Sequence, residues 1–148
     1  MSGSRFIDTN VLLAASSTVR AGPDAARALL EAEFARRNAC LSGQVLREYL
    51  AVATRPAAAN GLGLAREAAL GNVRQILDRS VFLAEDARVR DALFTLLRAV
   101  PCLGKQVHDA NITATMVAHG VRRLVTLNPA DFTRFSAWIE VEGVAPAA

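Results

Sequence analysis

The sequence predicts an α/β domain with a central, mostly parallel sheet flanked by helices. Three observations carry this. Short apolar runs of strand length alternate with longer segments of helical spacing, which is the order βαβ units require. The chain has 148 residues, 52% of them hydrophobic, enough to bury one core and the usual size of one domain. No apolar run reaches the roughly 18 residues of a membrane span, and no internal repeat or low-complexity tail breaks the alternation.

Each element has a local cause. Residues 5–7 are a short apolar run, and Thr9 and Asn10 follow as turn formers, so a buried strand should end near Asp8 and turn into the apolar segment 11–15. Gly22-Pro23 opens a helix with Pro in its first turn, and the segment 24–38 keeps helical spacing through Ala28, Leu29, Ala32 and Ala35 or Phe34. "ACLS" at 39–42 is a strand. Ser42 can cap the next helix, 43–55, whose apolar face is Val45, Leu46, Tyr49, Leu50 and Ala53. Pro56 ends it, and 56–63 is a loop. The helix over 64–80 turns Leu70, Val73, Ile76 and Leu77 inward. "VFLA" is a strand, and 87–100 is a helix through Val89, Leu93, Leu96, Leu97 and Val100. Pro101 to Gly104 is a break, and the helix over 105–120 closes at Gly120. "RRLVTL" is a strand, "NPADF" a helix start and "WIEV" a last strand; the small, apolar end "GVAPAA" should fray.

Composition narrows the function. The net charge is +3, and Lys105 is the only lysine among 17 basic residues. Arginine suits bidentate contact with phosphate, and a basic balance favours polyanionic partners, although many arginine-rich proteins bind no nucleic acid. Cys40 and Cys102 are far apart in apolar settings and read as reduced core residues. Two histidines do not make a His-rich zinc site. The N-terminus lacks the order of a secretory signal, so the expected location is cytoplasmic.

Of 14 acidic residues, Glu31, Glu33, Glu67, Asp78, Asp91, Glu140 and Glu142 fall on polar helix faces or strand ends, where solvation explains them. Four others are placed differently. Asp8 ends the first strand inside an apolar run, where an ionised carboxylate needs a partner or a metal. Glu48 lies beside the apolar stripe of its helix. Asp109 sits one turn into the helix after the break. Asp131 is third after Asn128, which can cap the helix there. Singly, each has an ordinary explanation: an Asx-turn, a helix-edge charge, or a first-turn carboxylate favoured by the helix dipole. Together they follow strands or open helices, which in this architecture is one edge of the sheet. Converging carboxylates need a cation or a shared proton, and hard oxygen ligands without His or Cys point to Mg²⁺ or Mn²⁺.

The segments "FIDTNVLL", "REYL", "HDANITATMVAHG" and "LVTLNPADF" resemble the four signature segments of PIN-domain ribonucleases. They are most similar to the VapC type, the toxin half of bacterial toxin–antitoxin pairs. The resemblance spans Arg5 to about Val141 and implies a single three-layer PIN domain over residues 1–148. It implies that Asp8, Glu48, Asp109 and Asp131 form the acidic constellation of a Mg²⁺-dependent endoribonuclease, with Mn²⁺ as a substitute. Asp8 and Asp109 would be the main metal ligands, with Asp131 ligating directly or through water, and Glu48 would act on the attacking water or complete a second metal position. Asn10, Thr126 and Asn128 match the polar positions that support them. The resemblance further implies an RNA substrate, a homodimer and an antitoxin partner. Arg47, Arg55, Lys105, Arg122 and Arg123 lie near the signature segments in sequence and are candidates for RNA-backbone contact. His108, beside Asp109, is a packing or hydrogen-bonding residue rather than a catalytic acid.

Rival readings are distinguishable. A phosphatase forming an aspartyl phosphate would usually carry a second Asp two residues after Asp8, where this chain has Asn10. A silent binding module for RNA or a partner gains nothing from four carboxylates facing phosphate. A PIN nuclease of RNA maturation would lack a neighbouring antitoxin frame.

Overall fold

A computed structural model describes residues 3–17 and 23–145. Five parallel strands form one sheet: β1 (Arg5–Ile7), β2 (Ala39–Ser42), β3 (Val81–Leu83), β4 (Arg123–Thr126) and β5 (Glu140–Gly143), in the order β3-β2-β1-β4-β5. Six α-helices surround it among the described residues: α1 (Thr9–Ser16), α2 (Pro23–Ala35), α3 (Gly43–Thr54), α4 (Arg66–Asp78), α5 (Ala87–Ala99) and α6 (Gln106–His119). Two 3₁₀ helices cover Ala57–Ala59 and Pro129–Phe135. The predicted α/β class with a parallel sheet is what the chain adopts. No described helix is long and apolar enough to cross a membrane.

The three inner strands are the buried ones, and the edge strands β3 and β5 are largely open. Phe6, Ile7, Cys40, Leu41, Leu124 and Val125 are fully enclosed, as parallel strands covered on both faces must be. β1 is central, with Ile7 opposite Val125 of β4 and Phe6 opposite Cys40 of β2. The strand order reverses between β1 and β4. That is the topological switch point, where crossovers leave in opposite directions and open a crevice beyond the carboxyl ends. Asp8 and Thr126 stand at this point.

Several local expectations need correction. Thr9 and Asn10 form the first turn of α1 rather than a loop, because Asp8 supplies the N-cap. Ser42 stands at the N-cap of α3 without a side-chain bond, its hydroxyl buried; Glu85 instead accepts from the Gln44 amide at 2.8 Å. The inward stripe of α2 is Ala26, Leu30 and Glu33, whereas Ala28 and Ala35 are exposed. Small alanines mark a helix but not its phase. Along α4 the inward residue is Ala69 and Leu70 is 48% exposed; Val73 and Ile76 are buried as expected. The last strand begins at Glu140, two residues later than "WIEV", because Pro129–Phe135 and the turn after it hold Trp138 outside the ladder. Gly22 and the end of the "GVAPAA" tail lie outside the described residues. Cys40 is buried, Cys102 half-buried, and both are free thiols.

Gly61 fixes the loop after α3. A Cβ there would stand 1.9 Å from the Arg55 carbonyl oxygen, which itself accepts from the Gly63 amide. The backbone cannot yield without breaking that turn. Gly61→Ala is therefore expected to cost about 2 kcal/mol, an overpacking penalty, visible as a lower thermal midpoint. A neutral result would mean that the loop relaxes freely.

Candidate active site

The site is assembled from β1 outward. Asp8 is extended (φ −70°, ψ 152°) and caps α1. Its Oδ1 accepts from the Thr9 amide at 2.8 Å and its Oδ2 from the Thr126 hydroxyl at 2.8 Å. The Thr126 oxygen in turn accepts from Asn10 Nδ2 at 3.2 Å and from the Asn128 amide at 3.1 Å. One hydroxyl proton and two lone pairs are thus all used. Asn10 Oδ1 accepts from the Leu127 amide at 3.1 Å, which fixes its amide group. Asn128 contributes its backbone N–H, while its side chain makes no cap bond to the helix that follows. That helix is 3₁₀, with Asp131 in its first turn.

Glu48 reaches the same region from the second turn of α3. Its Oε2 accepts from Thr9 Oγ1 at 2.9 Å and its Oε1 from Gln44 Nε2 at 2.8 Å. Asp109 lies in the first turn of α6, at the positive end of the helix dipole. The four carboxylates line one open cleft of about 560 Å³, together with Arg55, Lys105 and His108. Leu13, Val52 and Phe132 supply an apolar wall.

Their charges act on each other. Burial pushes Asp109 up to about 6, and the charges of Asp8, Asp131 and Glu48 push the same way, with Arg134 opposing. Burial also raises Asp8, against the bonds from Thr126 and Thr9, while Glu48 and Asp131 raise it further. A positive ion in the cleft would relieve both. Among the described residues no three His, Cys, Asp or Glu side chains converge closely enough to hold an ion as they stand. The donor set nevertheless suits a hard divalent cation, being all oxygen. No hydrogen bond offsets the repulsion on Asp109.

The predicted cations divide. Arg55 and Lys105 line the cleft. Arg47 does not, and lies 4.0 Å from Glu85. Arg122 and Arg123 sit at the amino end of β4, opposite to Thr126, where Arg123 pairs with Glu140 at 3.5 Å. Nearness to a motif in sequence says nothing about which end of a strand a residue occupies. Three contributors were not anticipated from sequence: the Thr9 hydroxyl, Gln44 and Glu85. Gln44 carried a usable signal, since four residues before Glu48 on a helix places its amide over that carboxylate. Glu85 carried none, because it enters from the β3–α5 connection.

Comparisons agree with this architecture. The VapBC2 complex of Rickettsia felis bound to promoter DNA superposes with a TM-score of 0.70 at 20% identity, covering 95% of this chain and 98% of that one. A DNA-bound VapBC of Salmonella typhimurium gives 0.68 at 19% identity, over 96% and 98%. VapC20 of Mycobacterium tuberculosis, a toxin cleaving the sarcin-ricin loop, gives 0.68 at 17%, over 93% and 97%. Identities this low establish the fold. No curated protein matches the sequence itself. The PIN domain family matches residues 5–137, nearly the whole described sheet and all four cleft carboxylates, and the chain belongs to the PIN-domain family.

Proposed function

We propose that the protein is a metal-dependent endoribonuclease and the toxin of a toxin–antitoxin pair, acting in the cytoplasm. The observation that carries this is the set of four mutually repelling carboxylates at the switch point of the sheet. Family membership and the likeness in fold to VapC structures support it. Asp8, Asp109 and Asp131 would hold Mg²⁺, or Mn²⁺ in its place. When bound, such an ion polarises a phosphate and acidifies a water. Glu48, held at both oxygens by Thr9 and Gln44, would orient that water and accept its proton. Asn10, Thr126 and the Asn128 amide keep Asp8 from rotating away. Lys105 and Arg55 border the cleft where the RNA backbone would lie, giving affinity without sequence choice. The apolar wall of Leu13, Val52 and Phe132 suits an antitoxin segment that closes the cleft, and the toxin would work as a homodimer.

The test is cleavage of labelled total RNA by purified protein with Mg²⁺, with Mn²⁺ and with EDTA. Metal-dependent fragments carrying 5′-phosphate ends support the proposal. Cleavage that persists in EDTA, or 2′,3′-cyclic phosphate ends, rejects hydrolysis by a metal-activated water.

Metal-free protein should also report its own repulsion. Asp109 is raised from 3.8 to about 6, so between these values the folded state binds more protons than the unfolded one. Stability then falls as pH rises through that window. Asp109→Asn removes the penalty. At pH 7, without metal, it is expected to gain about 1 kcal/mol once solvent screening is allowed for, or about 3 °C in thermal midpoint. At pH 3.5 the gain should vanish. A midpoint that falls at pH 7 would show that the carboxylate is stabilising.

A further inference from the structure

Behind the cleft runs a chain of side chains that the cleft itself does not include. Gln44 is only 4% exposed. Its Nε2 donates to Glu48 Oε1 at 2.8 Å and to the His108 carbonyl oxygen at 3.0 Å. Its Oε1 accepts from Asn111 Nδ2 at 2.7 Å. Asn111 Nδ2 also donates to Glu85 Oε1 at 2.7 Å. The other Glu85 oxygen accepts from the Gln44 backbone amide. None of Gln44, Asn111 and Glu85 lines the cleft.

The direction of this chain matters more than its length. A glutamine or asparagine amide can turn over, exchanging donor for acceptor. Gln44 must present nitrogen to Glu48, because its oxygen there would face a carboxylate and a carbonyl together. What keeps nitrogen forward is Asn111 donating from behind. What keeps Asn111 donating is the group at the far end, Glu85, both of whose oxygens accept.

We propose that Glu85, acting through Asn111 and Gln44, is a positioning residue that sets the orientation of Glu48 relative to the first turn of α6. The proposal rests on the nuclease reading for its kinetic consequences, though not for its geometry. In Glu85→Gln the side chain keeps one acceptor for the Gln44 amide and turns an NH₂ toward Asn111. Asn111 then flips, its oxygen meets the Gln44 oxygen, and Gln44 flips in turn. Glu48 loses its donor and faces an acceptor. Asn111→Asp produces the same reversal one step later.

Both substitutions are expected to lower kcat about 10- to 100-fold, the range for groups that orient residues around a metal site, with KM within about twofold because no cleft-lining group changes. Adding Glu85→Gln to Gln44→Leu should lower kcat no further, since a relay lacking its middle has nothing left to lose. Independently of activity, the Gln44 side-chain NH₂ should lie against Glu48 in the wild type and against Asn111 in Glu85→Gln, which moves its NMR resonances. A fall in thermal midpoint with kcat unchanged would make Glu85 only a cap for α3 and overturn the proposal. So would effects of Gln44→Leu and Glu85→Gln that multiply. If the wild type cleaves no RNA, the nuclease reading fails by itself. The relay is then judged by these resonances alone, and unchanged Gln44 NH₂ resonances in Glu85→Gln would overturn it too.

Discussion

Asp8→Asn is expected to abolish RNA cleavage while leaving the fold intact. The substitution keeps the shape and one oxygen, which can still accept from the Thr9 amide. It removes the charge at a position where both oxygens are held, through Thr9 and Thr126. Positioning a cation on a phosphate is worth several kcal/mol of transition-state stabilisation. At 1.36 kcal/mol per tenfold, the loss is about 10²- to 10³-fold or more in kcat/KM. Stability should barely move, because two effects oppose. Neutralising a buried carboxylate whose protonation is already favoured by burial stabilises the metal-free fold. Against this, an NH₂ now points at the Thr126 oxygen, which already accepts from Asn10 and Asn128, costing about 1 kcal/mol for the lost bond. The measurement is initial cleavage rate beside a urea unfolding curve. Cleavage within tenfold of wild type would show that Asp8 is not central to the chemistry.

The largest effect on stability should come from far outside the cleft. Glu33 is 2% exposed on the inner stripe of α2. It is bound by Arg5 Nη1 and faces Arg36 at 3.7 Å. Arg5 also stands 3.3 Å from Glu142, so one guanidinium on the central strand ties α2 to β5. One Glu33 oxygen has no hydrogen-bond partner, so the pair has little to spare. Arg5→Ala leaves a buried carboxylate facing only a mostly exposed arginine. The expected cost is about 3 kcal/mol, a drop of about 1.5 M in urea midpoint at a slope of about 2 kcal/mol/M. The double substitution Arg5→Met with Glu33→Leu should recover most of it, since replacing both partners by apolar groups is often neutral. A loss below 1 kcal/mol in Arg5→Ala would mean that Arg36 alone neutralises Glu33.

Glu33 also shows where reading the sequence stops. Its neighbours place it on a helix, and a charge on a helix reads as a solvated face. Only the position of Arg5, 28 residues earlier and brought alongside by the sheet, turns that face inward. The inner strands were legible because parallel strands buried on both faces show short apolar runs, as Phe6-Ile7 and Leu124-Val125 do. The helices were legible from their spacing, but phase failed where alanines stood among the larger apolar residues, as in α2 and at Ala69 beside Leu70. Asp8, Glu48, Asp109 and Asp131 stood out in the sequence because each interrupts or borders an apolar stretch, and all four face the cleft. Their roles there await the tests above. Thr9 was hidden by its own propensity, since a threonine after an aspartate reads as a turn. Glu85 was hidden because a carboxylate in a connection gives no pattern. Relations across the fold, unlike periodicities along the chain, are absent from any local window.

The pairing of β1 with β4 has a consequence in time. Asp8 comes off the ribosome first among the cleft carboxylates, and the Thr126 hydroxyl that steadies it comes 118 positions later. Asp131 is later still. The central strand cannot complete its ladder until β4 arrives, and loops of that span close slowly. A chain in the course of synthesis therefore has some of its acids but no cleft. Any catalytic competence would arrive late, once β4 and Asp131 have followed β1 out of the tunnel.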